Sequence, residues 1–299
     1  MNLFLFISLF ICAPAFPTEK SSLKAVMHIE EEEEEEKPYE LPKIIWLYWE
    51  GRLKRVERYL LHNMKQKIAD FTIIFITDST INYYLDRKAL PTGLKSLPKA
   101  NKADFYRLQL LYDYGGLWMD TSMYLSNDTF LEDCYRDITK AKADLLAFNS
   151  WWPPAYHIEF GFLMAPRRSP LIGKVLEEFK IMLSMGVKPY MKDRIKSGTV
   201  MKSPYIYHKR KYFGLEHYGK YFAPYVCMQT VIQRDYKGQP NVILRRSEDY
   251  WFKLYESCNN DSKCVARKWV NEPEVHEYPI IKFCSATRRY LKFPKVDVI

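Results

Sequence analysis

The run Lys102 to Tyr124, KADFYRLQLLYDYGGLWMDTSMY, limits the fold more than any other part of this chain. Ala103, Tyr106, Leu110, Leu111 and Tyr114 recur at helical spacing and form one apolar stripe. Gly115 and Gly116 then stop the helix, because glycine enters the left-handed region without strain. Leu117 to Met119 follow as a short buried strand, and Asp120 stands at its end. Asp104 and Arg107 lie three residues apart, so they share a helix face. Two carboxylates and a guanidinium therefore fall on adjoining elements. Such a group suits a polyhydroxylated, phosphate-bearing ligand, since carboxylates accept from sugar hydroxyls and Arg forks onto oxygens.

The flanking chain reads as strand and helix in alternation. Lys43 to Trp49 is a nearly continuous apolar and aromatic run, the mark of a strand buried on both faces. Leu53, Val56, Leu60, Met64 and Ile68 predict an amphipathic helix over 53–69. Phe71 to Ile76 is a second strand, and this β–α–β order favours a doubly wound sheet with right-handed crossovers. A helix over 99–114 precedes the Gly-Gly stop. Ala143 to Phe148 and Phe160 to Ala165 read as strands, and Pro170 to Met185 as a helix capped by Ser169. Residues 188–219 are basic, Tyr-rich and weakly periodic, which predicts loop with short helices. The last 60 residues give one clear strand, Tyr278 to Phe283.

Leu41 to Gly51, LPKIIWLYWEG, together with the run from Ala103 through Asp104, Arg107, Gly115 and Gly116 to Asp120, resembles glycosyltransferases with a DXD-type sugar-binding region. The likeness is to the capsular-polysaccharide-synthesis and α-1,6-mannosyl/α-1,4-galactosyltransferase group, and it covers roughly residues 41–178. It implies an α/β, GT-A-type nucleotide-diphospho-sugar transferase fold, with a Rossmann-like, mainly parallel sheet flanked by helices. It also implies a hexosyltransferase that retains anomeric configuration, using a nucleotide-diphosphate sugar and a glycan, glycolipid or glycoprotein acceptor. In such an enzyme the leaving phosphate itself takes the acceptor's proton.

By the same resemblance, Asp120, Asp104 and Arg107 carry the chemistry. Asp104 and Arg107 hold the donor hexose, and Asp120 binds Mn²⁺ or Mg²⁺ bridging the diphosphate. Trp46, Tyr48 or Trp49 supplies a platform for the base, and Gly116 lets backbone approach the ligand. Asn149, Trp151, Trp152, His157 and Glu159 fall in the acceptor region, with Trp151 and Trp152 as a stacking wall and Glu159 or His157 near the acceptor hydroxyl. One position departs from the pattern. The motif's second acid, two residues after Asp120, is here Ser122, a neutral and weaker metal ligand. That departure leaves open a catalytically inactive, secreted glycan-binding protein on the same fold.

Charge and cysteine usage bear on the compartment. Residues 1–17 look like a secretory signal peptide, and their apolar run is short for a membrane span, though a type II anchor is the alternative. Only a retained anchor would give contact with a membrane. Residues 18–40, with the acidic run Glu30 to Glu36, read as a disordered linker before a transferase domain over 41–299. That domain holds 42 Lys and Arg against 27 Asp and Glu, a net of +15 that favours an anionic partner. No groove-reading motif accompanies the charge, so nucleic acid is not expected. Cys258 and Cys264 bracket a polar loop and fit a disulfide worth about 2 kcal/mol. Asn127 and Asn260 head glycosylation sequons. Export through the Golgi lumen or to the extracellular space accommodates all of these. P-loop, GxGxxG, HExxH and GxSxG signatures are absent from the sequence.

Overall fold

The structure is a computed structural model that describes residues 38–86, 88, 90–149, 158–197, 221–294 and 296. The order begins β1 (Ile44–Tyr48), α1 (Arg55–Lys67), β2 (Thr72–Ile76), α2 (Lys99–Tyr114), β3 (Gly116–Met119) and β4 (Met123–Leu125). It continues α3 (Thr129–Ala141), β5 (Leu145–Asn149), β6 (Ile158–Ala165), α4 (Pro170–Met185), α5 (Val187–Lys196) and α6 (221–235). The last elements are β7 (Val242–Arg246), α7 (Lys253–Glu256), α8 (Ser262–Asn271), β8 (Ile280–Lys282) and α9 (Ser285–Arg288).

Six strands make one sheet in the order β2-β1-β3-β6-β5-β7. The β1–β2, β1–β3 and β5–β7 pairs are parallel, while β6 runs antiparallel to both β3 and β5. The sheet is thus mainly parallel with helices on both faces, as expected, and β6 is its antiparallel strand. β6 enters against β3, and this reversal puts the start of β6 beside the end of β3. Met119 pairs with Phe162, and the Asp120 amide donates to the Gly161 carbonyl at 2.9 Å. Tyr278 to Phe283, expected as a strand, supplies β8, which leaves the main sheet and pairs with β4 alone.

Hydrophobic cores lie on both faces. One packs Phe105, Leu108 and Leu111 of α2 with Leu176 and Phe179 of α4 and Val226 and Val231 of α6. The other joins Leu61 and Met64 of α1 to Leu131 and Ile138 of α3, beneath Leu117, Met119 and Phe162. Each such fully buried side chain contributes about 1.5–3 kcal/mol against exposure. A third cluster gathers α7, α8 and the C-terminal segment around Trp269 and Phe283.

The Gly-Gly stop has a packing cause. Gly115 has φ 71°, and its amide closes α2 on the Leu111 carbonyl. A Cβ on Gly116 (φ 98°) would stand 2.7 Å from the Ile44 carbonyl oxygen of β1. At Gly116 the glycine permits a close approach of β3 to β1. Trp46 is core rather than platform. It is 1% exposed, packs edge-on to Tyr84, and donates its indole N–H to the Gly115 carbonyl at 2.9 Å.

The Cys258–Cys264 disulfide is formed. Cys134 and Cys227 are buried thiols and Cys284 is half-buried. Asn127 and Asn260 are both exposed, each in a turn just ahead of a helix. Expression in a secretory host is therefore expected to give two glycoforms removable by endoglycosidase. Asn127→Gln and Asn260→Gln should each remove one mass step on a gel; an unshifted Asn127→Gln band would show that site unused.

Candidate active site

Asp104, Arg107 and Asp120 converge. Helix α2 presents Asp104 and Arg107 one turn apart, and the chain returns through Gly115 to lay β3 alongside. Arg107 Nη1 meets Asp104 Oδ1 at 2.5 Å, and Nη2 meets Asp120 Oδ1 at 3.1 Å. The Trp118 indole N–H also donates to Asp120 Oδ1, at 3.3 Å. The guanidinium lies over the Trp118 and Phe160 rings, 4.8 and 5.5 Å from their centroids. Its Nε has no hydrogen-bond partner among the described residues. A buried donor left so costs about 1–3 kcal/mol, which a ligand oxygen would recover.

A fourth member was not singled out by the sequence. Lys282 Nζ sits 3.1 Å from Asp120 Oδ2. It arrives because β8 pairs with β4, with Lys282 opposite Met123, and because the Ser122 carbonyl accepts the Phe283 amide at 2.9 Å. The ammonium also lies 5.3 Å from the Trp251 ring centroid. A Cβ on Gly161 would stand 2.5 Å from Lys282 Nζ and 3.1 Å from Asp120 Oδ2, so glycine leaves room for this pair. One cue was in the sequence: a lysine inside the apolar run Pro279-Ile-Ile-Lys-Phe283 demands a buried anion.

The two acids are pushed apart. Burial drives the Asp104 carboxyl up to about 6, Arg107 opposing it only in part and Asp120 adding to it. Burial acts on Asp120 in the same sense, but Lys282 and Arg107 outweigh it and hold that carboxyl below the usual range. Burial also works against the Lys282 ammonium, yet Asp120, Glu159 and Tyr221 hold its pKa above the ordinary lysine value. At neutral pH the group thus has fixed anionic acceptors beside fixed cationic donors.

Of the other expected residues, Glu159 and Ser122 adjoin this group and the rest of the described ones lie elsewhere. Glu159 on β6 is buried, with the Tyr225 hydroxyl 3.4 Å from its carboxylate, and it acts on the Lys282 charge. Ser122 is buried in the turn that follows Asp120 and contributes its carbonyl to Phe283. Trp49 is half-exposed just past β1, under the Arg288 guanidinium at 5.9 Å. Tyr48 packs against Tyr106 and Trp118 and donates to Asp78 at 2.5 Å, tying the ends of β1 and β2 together. Asn149 closes β5 and is half-exposed. Trp151, Trp152 and His157 lie outside the described residues. A surface concavity of about 490 Å³ lined by Arg52, Leu53, Lys54, Arg55, Arg58 and Val296 shares no residue with this group. It also offers no carboxylate to a sugar hydroxyl, so the chemistry favours Asp120.

The residues around Asp120 do not fit a divalent cation in this arrangement. Mg²⁺ needs oxygen ligands at about 2.0–2.1 Å in near-octahedral order. Both Asp120 oxygens already accept from cations, and the second carboxylate of the motif is replaced by Ser122. Among the described residues, His, Cys, Asp and Glu side chains form no cluster of three or more suited to a metal.

The sequence pattern of capsular polysaccharide synthesis proteins matches residues 19–172, just over half the chain. The chain belongs to the capsular polysaccharide synthesis protein family. The family match spans Asp104, Arg107 and Asp120 but ends well before Lys282. Among curated proteins, an O-glycosyltransferase, braB, of Annulohypoxylon truncatum is 24% identical over 162 residues. That stretch is 48% of this chain and 38% of the fungal protein, so the match spans well under half of that relative's length. Among solved structures, the glycosyltransferase GlyE of Streptococcus pneumoniae TIGR4 is similar at 10% identity and a TM-score of 0.42, covering 82% of this chain and 55% of its own. A glycosyltransferase involved in glycosylation of the major capsid of PBCV-1 is similar at 13% identity and a TM-score of 0.40, covering 83% and 98%.

Proposed function

We propose that this capsular polysaccharide synthesis family member is a glycosyltransferase. It would move a hexosyl group from a nucleotide-diphosphate sugar to a hydroxyl of a glycan, glycolipid or glycoprotein, with retention at the anomeric carbon. The observation that carries this reading is the shared guanidinium: one Arg107 side chain bridges Asp104 and Asp120 at 2.5 and 3.1 Å, at the carboxyl end of a sheet strand. Ligands of open α/β sheets bind at that end. Asp104 and Asp120 accept from hexose hydroxyls, and Arg107 supports the diphosphate. The name of the fungal relative, an O-glycosyltransferase, supports transfer to oxygen.

The work asked of these residues is electrostatic. Fixed charges aimed at a departing diphosphate need no reorganisation during reaction, which makes them effective away from bulk water. A retaining path needs no strong base, because the leaving phosphate oxygen takes the acceptor's proton. We place this chemistry in the secretory lumen, a reading supported by the Cys258–Cys264 disulfide and the exposed Asn127 and Asn260.

The test is a panel of UDP-, GDP-, ADP- and dTDP-hexoses, with release of free nucleotide as readout. One donor is expected to be hydrolysed slowly alone and faster with an added glycan acceptor. A folded protein that binds glycans yet releases nucleotide from none of the donors would be a lectin-like member of the family instead.

A further inference from the structure

Lys282 is the member of the group that neither the motif nor the family match includes. A divalent cation serving a diphosphate sugar would have to approach an Asp120 oxygen at about 2.1 Å. Oδ2 faces the Lys282 ammonium at 3.1 Å, and Oδ1 faces Arg107 at 3.1 Å and Trp118 at 3.3 Å. Placing a dication there would set it against two fixed cations. The motif's second acid, which would offset that repulsion, is Ser122. Three features hold the ammonium where it is. Gly161 lacks the Cβ that would strike Nζ, the Ser122 carbonyl binds the next residue's amide, and β8 is paired with β4 through Met123.

Resting on the transferase reading above, we infer that Lys282, together with Arg107, supplies the positive charge that a divalent cation would otherwise bring, so that this enzyme binds and cleaves its nucleotide-diphosphate sugar without a metal. In the step, the bond between the anomeric carbon and the diphosphate oxygen breaks, and its electron pair stays on that oxygen. Lys282 and Arg107 donate hydrogen bonds to the diphosphate and keep their protons. The acceptor oxygen forms the new bond to the anomeric carbon, and its proton passes to the departing phosphate. Asp120, which accepts from the donor hexose, also holds both cations on one side of the site.

Calorimetric titration tests this with UDP, GDP, ADP and dTDP as probes, against wild type and Lys282→Met, each in excess EDTA and in Mn²⁺. Wild type should bind one nucleotide diphosphate with a Kd that agrees within about twofold between EDTA and Mn²⁺. Lys282→Met should bind it about tenfold more weakly or worse, the scale of one lost charge-assisted hydrogen bond, while Lys282→Arg retains most of the affinity. If wild type loses binding in EDTA and regains it with Mn²⁺, the inference is overturned while the transferase reading survives. Unchanged affinity in folded Lys282→Met overturns it as well. Should Lys282→Met fail to fold, the wild-type comparison alone decides. If folded wild type binds no nucleotide in either buffer, the transferase reading falls and takes this inference with it.

Discussion

Asp120→Asn will lower donor turnover by about 100-fold or more, the scale that losing one preorganised electrostatic group carries. The side chain keeps its shape, so the fold should hold. Arg107 remains paired with Asp104 at 2.5 Å, and the amide oxygen can still accept from Arg107 and Trp118. What is lost is the charge that pulls Lys282 and Arg107 to one point, since Oδ2 would become an amide nitrogen facing an ammonium 3.1 Å away. Lys282 must then move, and with it the donor for the diphosphate. Nucleotide release with the preferred donor, followed as kcat and kcat/KM beside the thermal midpoint, measures this. A variant that folds and turns over at the wild-type rate would remove Asp120 from the chemistry and leave the transferase activity to other residues.

The largest effect on stability is expected outside that group, at Glu178 of α4. Its carboxylate is 0% exposed and accepts from the Tyr190 hydroxyl at 2.8 Å, Arg194 Nη2 at 2.5 Å and Arg234 Nη1 at 2.7 Å. One anion thus ties α4 to α5 and α6. Glu178→Ala leaves the Tyr190 hydroxyl without its carboxylate and takes the buried anion from Arg194 and Arg234, which keep only Asp193 and Asp235, and breaking a buried pair in this way costs about 3–5 kcal/mol. For a domain of this size the thermal midpoint should fall by roughly 6–15 °C. The pH dependence has a definite sign. Burial raises the Glu178 pKa, but Tyr190, Arg234 and Arg194 outweigh it, and the net shift is downward from 4.5. A carboxylate with a depressed folded pKa stabilises above its unfolded value and loses that stabilisation as pH falls through the folded one. The gap in midpoint between wild type and Glu178→Ala should therefore be full at neutral pH and narrow progressively below pH 4.5. A gap that stays constant down to pH 3 would mean that Glu178 acts by packing rather than by charge.

Long elements with strong periodicity were legible from residues alone. Helix α4 runs over Pro170–Met185, the range that Ser169, Pro170 and the apolar spacing predict, and Ser169 caps it by accepting from the Ile172 amide. Helix α2 and strand β3 meet at the Gly-Gly stop as expected. Other elements escaped. Helix α3 carries Phe130, Leu131, Cys134 and Ile138 on one buried face, a pattern as good as that of α1, yet polar residues on both flanks hid it. Strand β4 is three residues long and β7 reads VILRR, too short or too polar to stand out. Helix α6 carries Tyr221, Pro224 and Tyr225 in its first described turns, and its apolar face makes sense only against α2 and α4.

Local chemistry by itself determined which residues could face a sugar diphosphate. Asp104 and Arg107 are one helical turn apart, and a glycine stop followed by a four-residue strand delivers Asp120 a fixed distance later, because each step is short-range backbone geometry. Lys282 is 162 positions further on, and no local rule ties it to Asp120. Only the pairing of β8 with β4, and the antiparallel entry of β6 with a glycine at residue 161, decided that a buried ammonium would stand there. Contacts of that kind come from packing a whole chain so that each buried charge meets its opposite, which no window of sequence contains.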